Sequence, residues 1–396
     1  MNTQSQSNPA EFRTQVRDWL AQNFPQSLAG KGDEWAAAQP HLPEGEDWAA
    51  WKNAMGSKGW AVPTWPAEHG GGGLTRAENS ILQEELERIG AFNPIGGIAQ
   101  YMFGPTLLEV GTPEQIRQHI PPIARGEIRW CQGYSEPGAG SDLASLKTRA
   151  QDEGEYYLVN GQKIWTSGSM DAQWCFCLVR TDTTKKHEGI SFLLIDMATP
   201  GIEVRPLVLI SGNSTFGEVF FTDVKVPKEN LVGGLTEGWT IAKRLMQHER
   251  SGIGARKQTH GDLRPVDVVA KEYIGTDARG HIDDPDLRAR ITRHKMWERA
   301  HRLTVERVAA ESKAGPSTAT SVLKNAGSVM LQTRGELLLE IMGMQGLGWE
   351  GDDYTDLERE TLRVTLQNKA HSIYGGTFEI QNNIIAKRIL GMLDHQ

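Results

Sequence analysis

One carboxylate stands out by the spacing of its neighbours. Trp239, Ala242, Leu245 and Met246 fall on one face of a helical repeat, and Glu249 is the next position on that face. A basic partner within a helix sits three or four residues away. Around Glu249 those positions are Leu245, Met246, Gly252 and Ile253, none of them basic. A carboxylate on an apolar face without a local cation has a raised proton affinity, which a general base for a weak acid requires. Pairing with Arg250 or Arg256 through a bend is the structural alternative. Other chemically capable groups are less specific. Cys175 and Cys177 point the same way along a strand, but no His or further Cys stands at metal-ligand spacing beside them, so buried thiols and no metal are expected. His294 and His301 are seven apart on a helix without a third ligand. Gly346, Gly348 and Gly351 match G-x-G-x-x-G by letter, yet a helix precedes them where a dinucleotide turn needs a strand.

The elements that must position such groups follow from periodicity. Phe12, Val16, Trp19 and Leu20 have helical spacing, with Asn8 as N-cap and Pro9 at the first helical position. Further amphipathic stretches run over Glu46–Met55 and Thr75–Ile89. Between about Arg129 and Leu231 the period changes to two. There, Asn160-Gly161 predicts a tight hairpin, and Trp174–Thr181, Ile190–Asp196, Gly201–Ile210 and Gly217–Val226 predict strands of a compact β-barrel or sandwich. Leu323, Ala326, Met330, Leu337 and Ile341 restore the helical stripe, and a last helix is expected over Phe378–Leu390. Asp262–Asp286, with two prolines, predicts a long loop. The fold class is therefore α+β: an N-terminal helical domain over 1–128, a β-barrel-like domain over 129–233 and a C-terminal helical bundle over 234–396.

Composition narrows the classes. The chain has 396 residues, 38% of them hydrophobic, and a net charge of −8. No run approaches the ~20 apolar residues of a membrane span. An acidic balance with no lysine-arginine block argues against nucleic acid. The first thirty residues lack the charged start and apolar core of a signal peptide, which with three cysteines points to the cytoplasm. Twelve Trp and 43 Gly are more than usual, without a repeat period.

Three segments carry a resemblance. Cys131-Gln132-Gly133-Tyr134-Ser135-Glu136-Pro137-Gly138-Ala139-Gly140-Ser141-Asp142-Leu143 resembles the flavin-proximal signature of the acyl-CoA dehydrogenases. Asn160-Gly161-Gln162-Lys163-Ile164-Trp165-Thr166-Ser167-Gly168 is similar to the next flavin-contacting strand of that family, and Tyr374-Gly375-Gly376-Thr377-Phe378-Glu379-Ile380-Gln381 to its C-terminal loop and helix. They stand in family order, and the layout covers essentially the whole chain. The resemblance implies FAD, held by Gln132, Tyr134, Ser135, Gly140, Ser141, Trp165, Ser167, Gly376, Thr377 and Glu379, with Ser141 and Arg250 also beside the substrate. An isoalloxazine needs a planar apolar slot and donors at its ring heteroatoms, and Gly138 and Gly140 permit a tight loop with outward N–H groups. It further implies α,β-dehydrogenation of an acyl-CoA, electron transfer to an electron-transfer flavoprotein, and a homo-oligomer.

Two departures qualify what the resemblance implies. Many members carry Glu where this chain has Gly375, and glycine takes no proton. In another branch the base lies on the helix after the β-domain, and the matching position is Glu249. The Gly375 backbone N–H keeps the family role of donor to the thioester carbonyl. Glycine there leaves room beside the α-carbon, so a bulky, branched or cyclic acyl group is expected. In place of the usual Arg-x-x-Phe-Gly of the third domain stands Ile274-Gly275-Thr276-Asp277-Ala278-Arg279-Gly280, which opens the oligomer to a tetramer, a dimer or a two-gene heteromer. The alternatives are a flavoenzyme of other chemistry (a desulfinase or an oxidase), one subunit of a heteromeric dehydrogenase, or an acyl-CoA-binding regulator.

Overall fold

A computed structural model describes residues 8–32, 45–254, 261–311 and 319–393, with the backbone alone for 247–254 and for positions 309 and 311. The chain divides into two compact units: residues 1–207 with 215–245, and residues 208–214 with 246–396.

The first unit begins with helices whose starts are chemically marked. Asn8 caps α1 (Pro9–Asn23), α2 spans Glu46–Lys58, and Thr75 with Glu78 forms a capping box on α3 (Arg76–Arg88). Phe12, Val16, Leu20, Trp51, Met55, Trp60 and Leu82 form one apolar core, which accounts for part of the tryptophan excess. Glu85 is buried on α3, its carboxylate held by Arg88, Arg13 and Arg17 at 2.6, 2.7 and 2.9 Å. Helices α4 (Gly104–Val110) and α5 (Pro113–Ala124) follow. Gln115 closes the capping box of α5 and sends its amide N–H groups to the carbonyls of Glu229 and Leu231, both at 2.8 Å, tying the helices to the strands.

Among the described residues eight strands form one sheet: β1 (Trp130–Gly133), β2 (Arg149–Asp152), β3 (Tyr156–Ser167), β4 (Trp174–Arg180), β5 (Ile190–Asp196), β6 (Ile202–Leu207), β7 (Phe216–Pro227) and β8 (Leu231–Val232). The hydrogen-bonded order is β6-β7-β3-β2-β4-β5-β8, with β1 parallel to β4. Val159, Val179, Leu193, Val219 and Val224 fill the core, together with the free thiols of Cys131, Cys175 and Cys177.

The Asn160-Gly161 hairpin is not there. β3 runs straight through it, and the turn is seven residues earlier at Glu153-Gly154-Glu155, where Gly154 has φ +84°. The Asn160 side chain instead donates to the Asp223 carboxylate at 3.0 Å and accepts from the Asp223 amide at 2.9 Å, beside a bulge. A Cβ on Gly161 would lie 2.5 Å from Thr148 Oγ1, so that glycine serves a close approach and not a turn.

Helix α6 (Gly238–Gly254) leaves the sheet with Ala242 and Leu245 buried, and its residues from Met246 onward belong to the second unit. The second unit contains α7 (Val266–Tyr273), α8 (Pro285–Glu311), α9 (Thr320–Met342), α10 (Asp356–Asn368) and α11 (Phe378–Ile384). Its core joins Val266, Val269, Ile291, Leu338 and Ile341. The expected loop over Asp262–Asp286 thus holds a helix. Pro265 is its N-cap, and Val266, Val269 and Ala270 are its buried stripe. Among the described residues no helix is long and apolar enough to cross a membrane.

Candidate active site

In the first unit the predicted residues converge on the loop after β1 and the end of β3. Gln132 lies on β1, in register with Phe176. The Tyr134 ring is buried edge-on to Phe176 and Phe192, so that residue presents its main chain, not its ring. Ser135 is half-buried, and its carbonyl accepts from the Ile164 amide at 2.9 Å, which joins the loop to β3. Glu136 and Ala139 exchange both backbone bonds at 3.0 Å, turning the chain through Pro137 and Gly138. Gly138, Gly140 and Ser141 are left exposed, with nothing within 4 Å of a Cβ on either glycine. Among the described residues, the amides of Gly138, Gly140 and Ser141 donate to no protein acceptor.

Sequence reasoning missed what holds this loop. Lys163 is wholly buried, and its ammonium donates to Glu136 Oε1 at 2.8 Å and to the Tyr134 carbonyl at 3.0 Å. The other Glu136 contacts are the amides of Lys147 (2.6 Å) and Thr148 (2.9 Å). Burial opposes ionisation of Glu136, yet the charge of Lys163 and these hydrogen bonds hold its carboxyl below the usual range. Arg180, also buried, donates to the carbonyls of Ala144 at 2.7 Å and Leu146 at 3.3 Å, and so fixes the far end of the loop. A signal was present: Lys163 occupies the strand phase of buried Val159.

Two residues on from Lys163, Trp165 is exposed and has φ +59°, a left-handed conformation that a bulky residue seldom takes. Its indole meets only the edge of Phe216 among described ring contacts, at 6.1 Å between centroids. Ser167 follows, half-buried, at the end of β3.

In the second unit the Tyr374–Gln381 segment is a loop entering α11. Gly375 and Gly376 have φ +64° and +87°. The Gly375 carbonyl accepts from Gln381 Nε2 at 2.6 Å, and the Gly376 carbonyl from Lys324 Nζ at 2.7 Å. Among the described residues the Gly375 amide donates to no protein acceptor. Thr377 is the N-cap of α11, its hydroxyl accepting from the Ile380 amide at 3.3 Å. Glu379 is exposed, and its carboxyl is held below the usual range, first by its own amide and then by the Thr377 hydroxyl. Glu249 and Arg250 lie on α6, their side chains outside the described residues, and Arg256 lies outside them altogether. Arg279 is exposed at the tip of a turn closed by Asp277, whose carboxylate accepts the Arg279 amide at 2.9 Å.

Three family models match this chain in order: acyl-CoA dehydrogenase N-terminal domain over 8–127, middle domain over 131–224 and C-terminal domain over 236–390. A flavoprotein class of oxidoreductase is thereby defined, and the chain belongs to the acyl-CoA dehydrogenase family. Its relatives include the acyl-CoA dehydrogenase IpdE1 of Mycobacterium tuberculosis, 36% identical over 96% of this chain and 97% of that protein. The ChsE4-ChsE5 complex from Mycobacterium tuberculosis aligns over 100% of both chains with TM-score 0.75 and 29% identity. The Tcur3481-Tcur3483 steroid ACAD aligns equally fully, at TM-score 0.75 and 26% identity.

Proposed function

We propose that this chain oxidises a bulky, branched or ring-bearing acyl-CoA to its trans-2-enoyl-CoA, with Glu249 as base and FAD as cofactor. The observation that carries the reading is Gly375. It stands where a carboxylate would act, and its left-handed φ +64° suits glycine. With no side chain at that position, space is left beside the substrate α-carbon. Similarity to the Tcur3481-Tcur3483 steroid ACAD supports a ring-bearing acyl group.

Two features of the strand-rich unit fit FAD. The exposed indole of Trp165 offers a planar face, and the free amides at Gly138, Gly140 and Ser141 suit anionic oxygens. Bound FAD supplies the acceptor for the β-hydride. The roles of the chain are then separable. Glu249 removes the α-proton, and the Gly375 N–H donates to the thioester carbonyl, stabilising charge as it develops there. Ser135, Ser167 and Trp165 surround the flavin ring, with Gln132 and Tyr134 supporting it through β1 and its loop. Gly140 and Ser141 line the phosphate side, Gly376, Thr377 and Glu379 the adenosine side, and Ser141 with Arg250 the CoA arm. The domain limits of 1–128, 129–233 and 234–396 belong to this reading, as do a cytoplasmic location and an electron-transfer flavoprotein as the onward acceptor.

Anaerobic titration of the holoprotein with a panel of CoA thioesters, followed by flavin bleaching, tests the reading. Ring-bearing or branched thioesters should bleach it faster than butyryl-CoA; the reverse order refutes the bulky pocket. Glu249→Gln should slow reduction by about 10²–10⁴-fold. Full-speed reduction in that variant removes Glu249 as base, and rapid turnover with oxygen alone favours an oxidase. A heteromer is the second reading, because two of the solved relatives are named as two-protein assemblies. Retention of FAD and activity by the chain expressed alone excludes it.

A further inference from the structure

The Gly375-Gly376 pair has no side chain with which to fix its own peptide planes, yet the Gly375 N–H can stabilise an oxyanion only if it is aimed in advance. The structure shows which side chains hold the neighbouring peptide units. On α9, Lys324, Ser328 and Gln332 recur every four residues and so share one face. That face meets, in sequence, main-chain carbonyls from the end of α10 to the glycine pair. Gln332 Nε2 donates to Asn368 at 3.0 Å, Ser328 Oγ lies 3.1 Å from the His371 carbonyl, and Lys324 Nζ donates to Gly376 at 2.7 Å. Gln381, from α11, secures Gly375 at 2.6 Å. Lys324 and Gln381 are each 1% exposed.

The peptide unit that contains the Gly375 N–H lies between two secured units. Before it, the Tyr374 N–H is bonded to the Ala370 carbonyl at 3.0 Å; after it, the Gly375 carbonyl is bonded to Gln381. One unit further on, Lys324 fixes the Gly376 carbonyl while lying 5.0 Å from the centroid of the Phe378 ring. A buried lysine satisfied by a main-chain carbonyl is costly to keep, which calls for a reason beyond packing.

We propose that Lys324 and Gln381 are positioning residues for the thioester oxyanion: by tying the carbonyls of Gly376 and Gly375 they aim the Gly375 N–H. The proposal rests on the assignment of that N–H as the thioester donor. Neither side chain touches the reacting atoms. Each restores to a glycine pair the rigidity that a larger residue would bring to one of its positions.

The test uses acetoacetyl-CoA, whose α-carbon ionises to an enolate without any redox step. Its enolate absorbance, and any long-wavelength band it forms with oxidised flavin, are followed against pH in the FAD-loaded protein. In the wild type the ionisation midpoint should fall well below that of the free thioester. Lys324→Met and Gln381→Leu should each move it back up by about one pH unit, a tenfold weaker stabilisation of the enolate. FAD content should stay unchanged, and kcat should fall more than KM rises. Gln381→Leu exchanges one neutral side chain for another, so its shift reports the tether and not a lost charge. It also decides the matter if Lys324→Met does not fold. A wild-type midpoint in Gln381→Leu overturns the proposal while leaving the Gly375 assignment intact. A wild-type protein that leaves the acetoacetyl-CoA midpoint unmoved overturns that assignment first.

Discussion

The loop from Tyr134 to Ser141 and the stretch from the end of α10 at Asn368 to Thr377 are each held by a buried lysine, but the lysines are satisfied differently. Lys163 faces a carboxylate, Glu136, whose other contacts are two backbone amides. Lys324 faces a carbonyl dipole, and burial lowers its pKa to about 8, against the raising influence of Glu379. The first arrangement is a closed set of charges in which each member needs the other. The second carries a charge that burial opposes and a dipole only partly offsets. A loop presenting amides to an anionic cofactor can be held permanently. The one whose proposed task is to aim a single N–H at a transient charge is held through a network of weaker parts.

That contrast is broken most sharply by opening the ion pair. Lys163→Met or Glu136→Gln should each cost about 3–5 kcal/mol in urea unfolding and lower FAD retention, since each leaves a buried charge without its counter-charge. Replacing both by apolar residues should recover much of the loss; damage in the double variant equal to the sum of the two single losses shows the pair is not coupled.

Second in size is a pH effect in which both loops gain stability as pH rises, in different windows and for different reasons. Lys324 binds its proton more weakly folded than unfolded, so its penalty is present below about pH 8 and is relieved as pH rises toward 10.5. The urea midpoint of the wild type should therefore rise across that window relative to Lys324→Met. Glu136 acts in the acid window through a favourable charge: its contribution is complete above the ordinary carboxyl value of 4.5 and is lost as pH falls through its lowered one. Acid titration of wild type against Glu136→Gln measures it.

Smaller effects sharpen the comparison. Gly376→Ala places a Cβ 2.5 Å from Gln381 Nε2 at a backbone φ of +87°, and should cost about 1–3 kcal/mol while loosening the Gly375 tether. The smallest change is Ser328→Ala, expected to remove about 1 kcal/mol with little effect on FAD content. Both are read from chemical denaturation and flavin absorbance.

Much of the scaffold was legible because it obeys local rules. The apolar stripe of α1, its Asn8 cap, the strands β4 and β5 and the change of period after the sheet all follow from spacing. The errors share a cause: a strong local signal overridden by distant partners. Asn160-Gly161 reads as a turn, but Asp223, 63 residues away, takes the Asn160 side chain, and Thr148 needs the space at Gly161. Pro265 reads as a breaker, but it begins a helix. The candidate ligands in the loops were legible as motifs. Their supports were not, because Lys163 meets Glu136 across 27 residues and Lys324 meets Gly376 across 52. No spacing rule spans such distances. Only the phase of a charged residue within an apolar pattern hints that it has a buried partner.

The thiols of the sheet core carry a consequence for durability. Cys175, chiefly through its contact with Cys131, and Cys177, chiefly through burial, are held well above the usual thiol range. Peroxide attacks the thiolate, and neither sulfur is one at any ordinary pH. The sheet that carries the proposed flavin loop therefore keeps its sulfur chemistry quiet, and ageing in air should begin elsewhere, at exposed methionines such as Met296 and Met344.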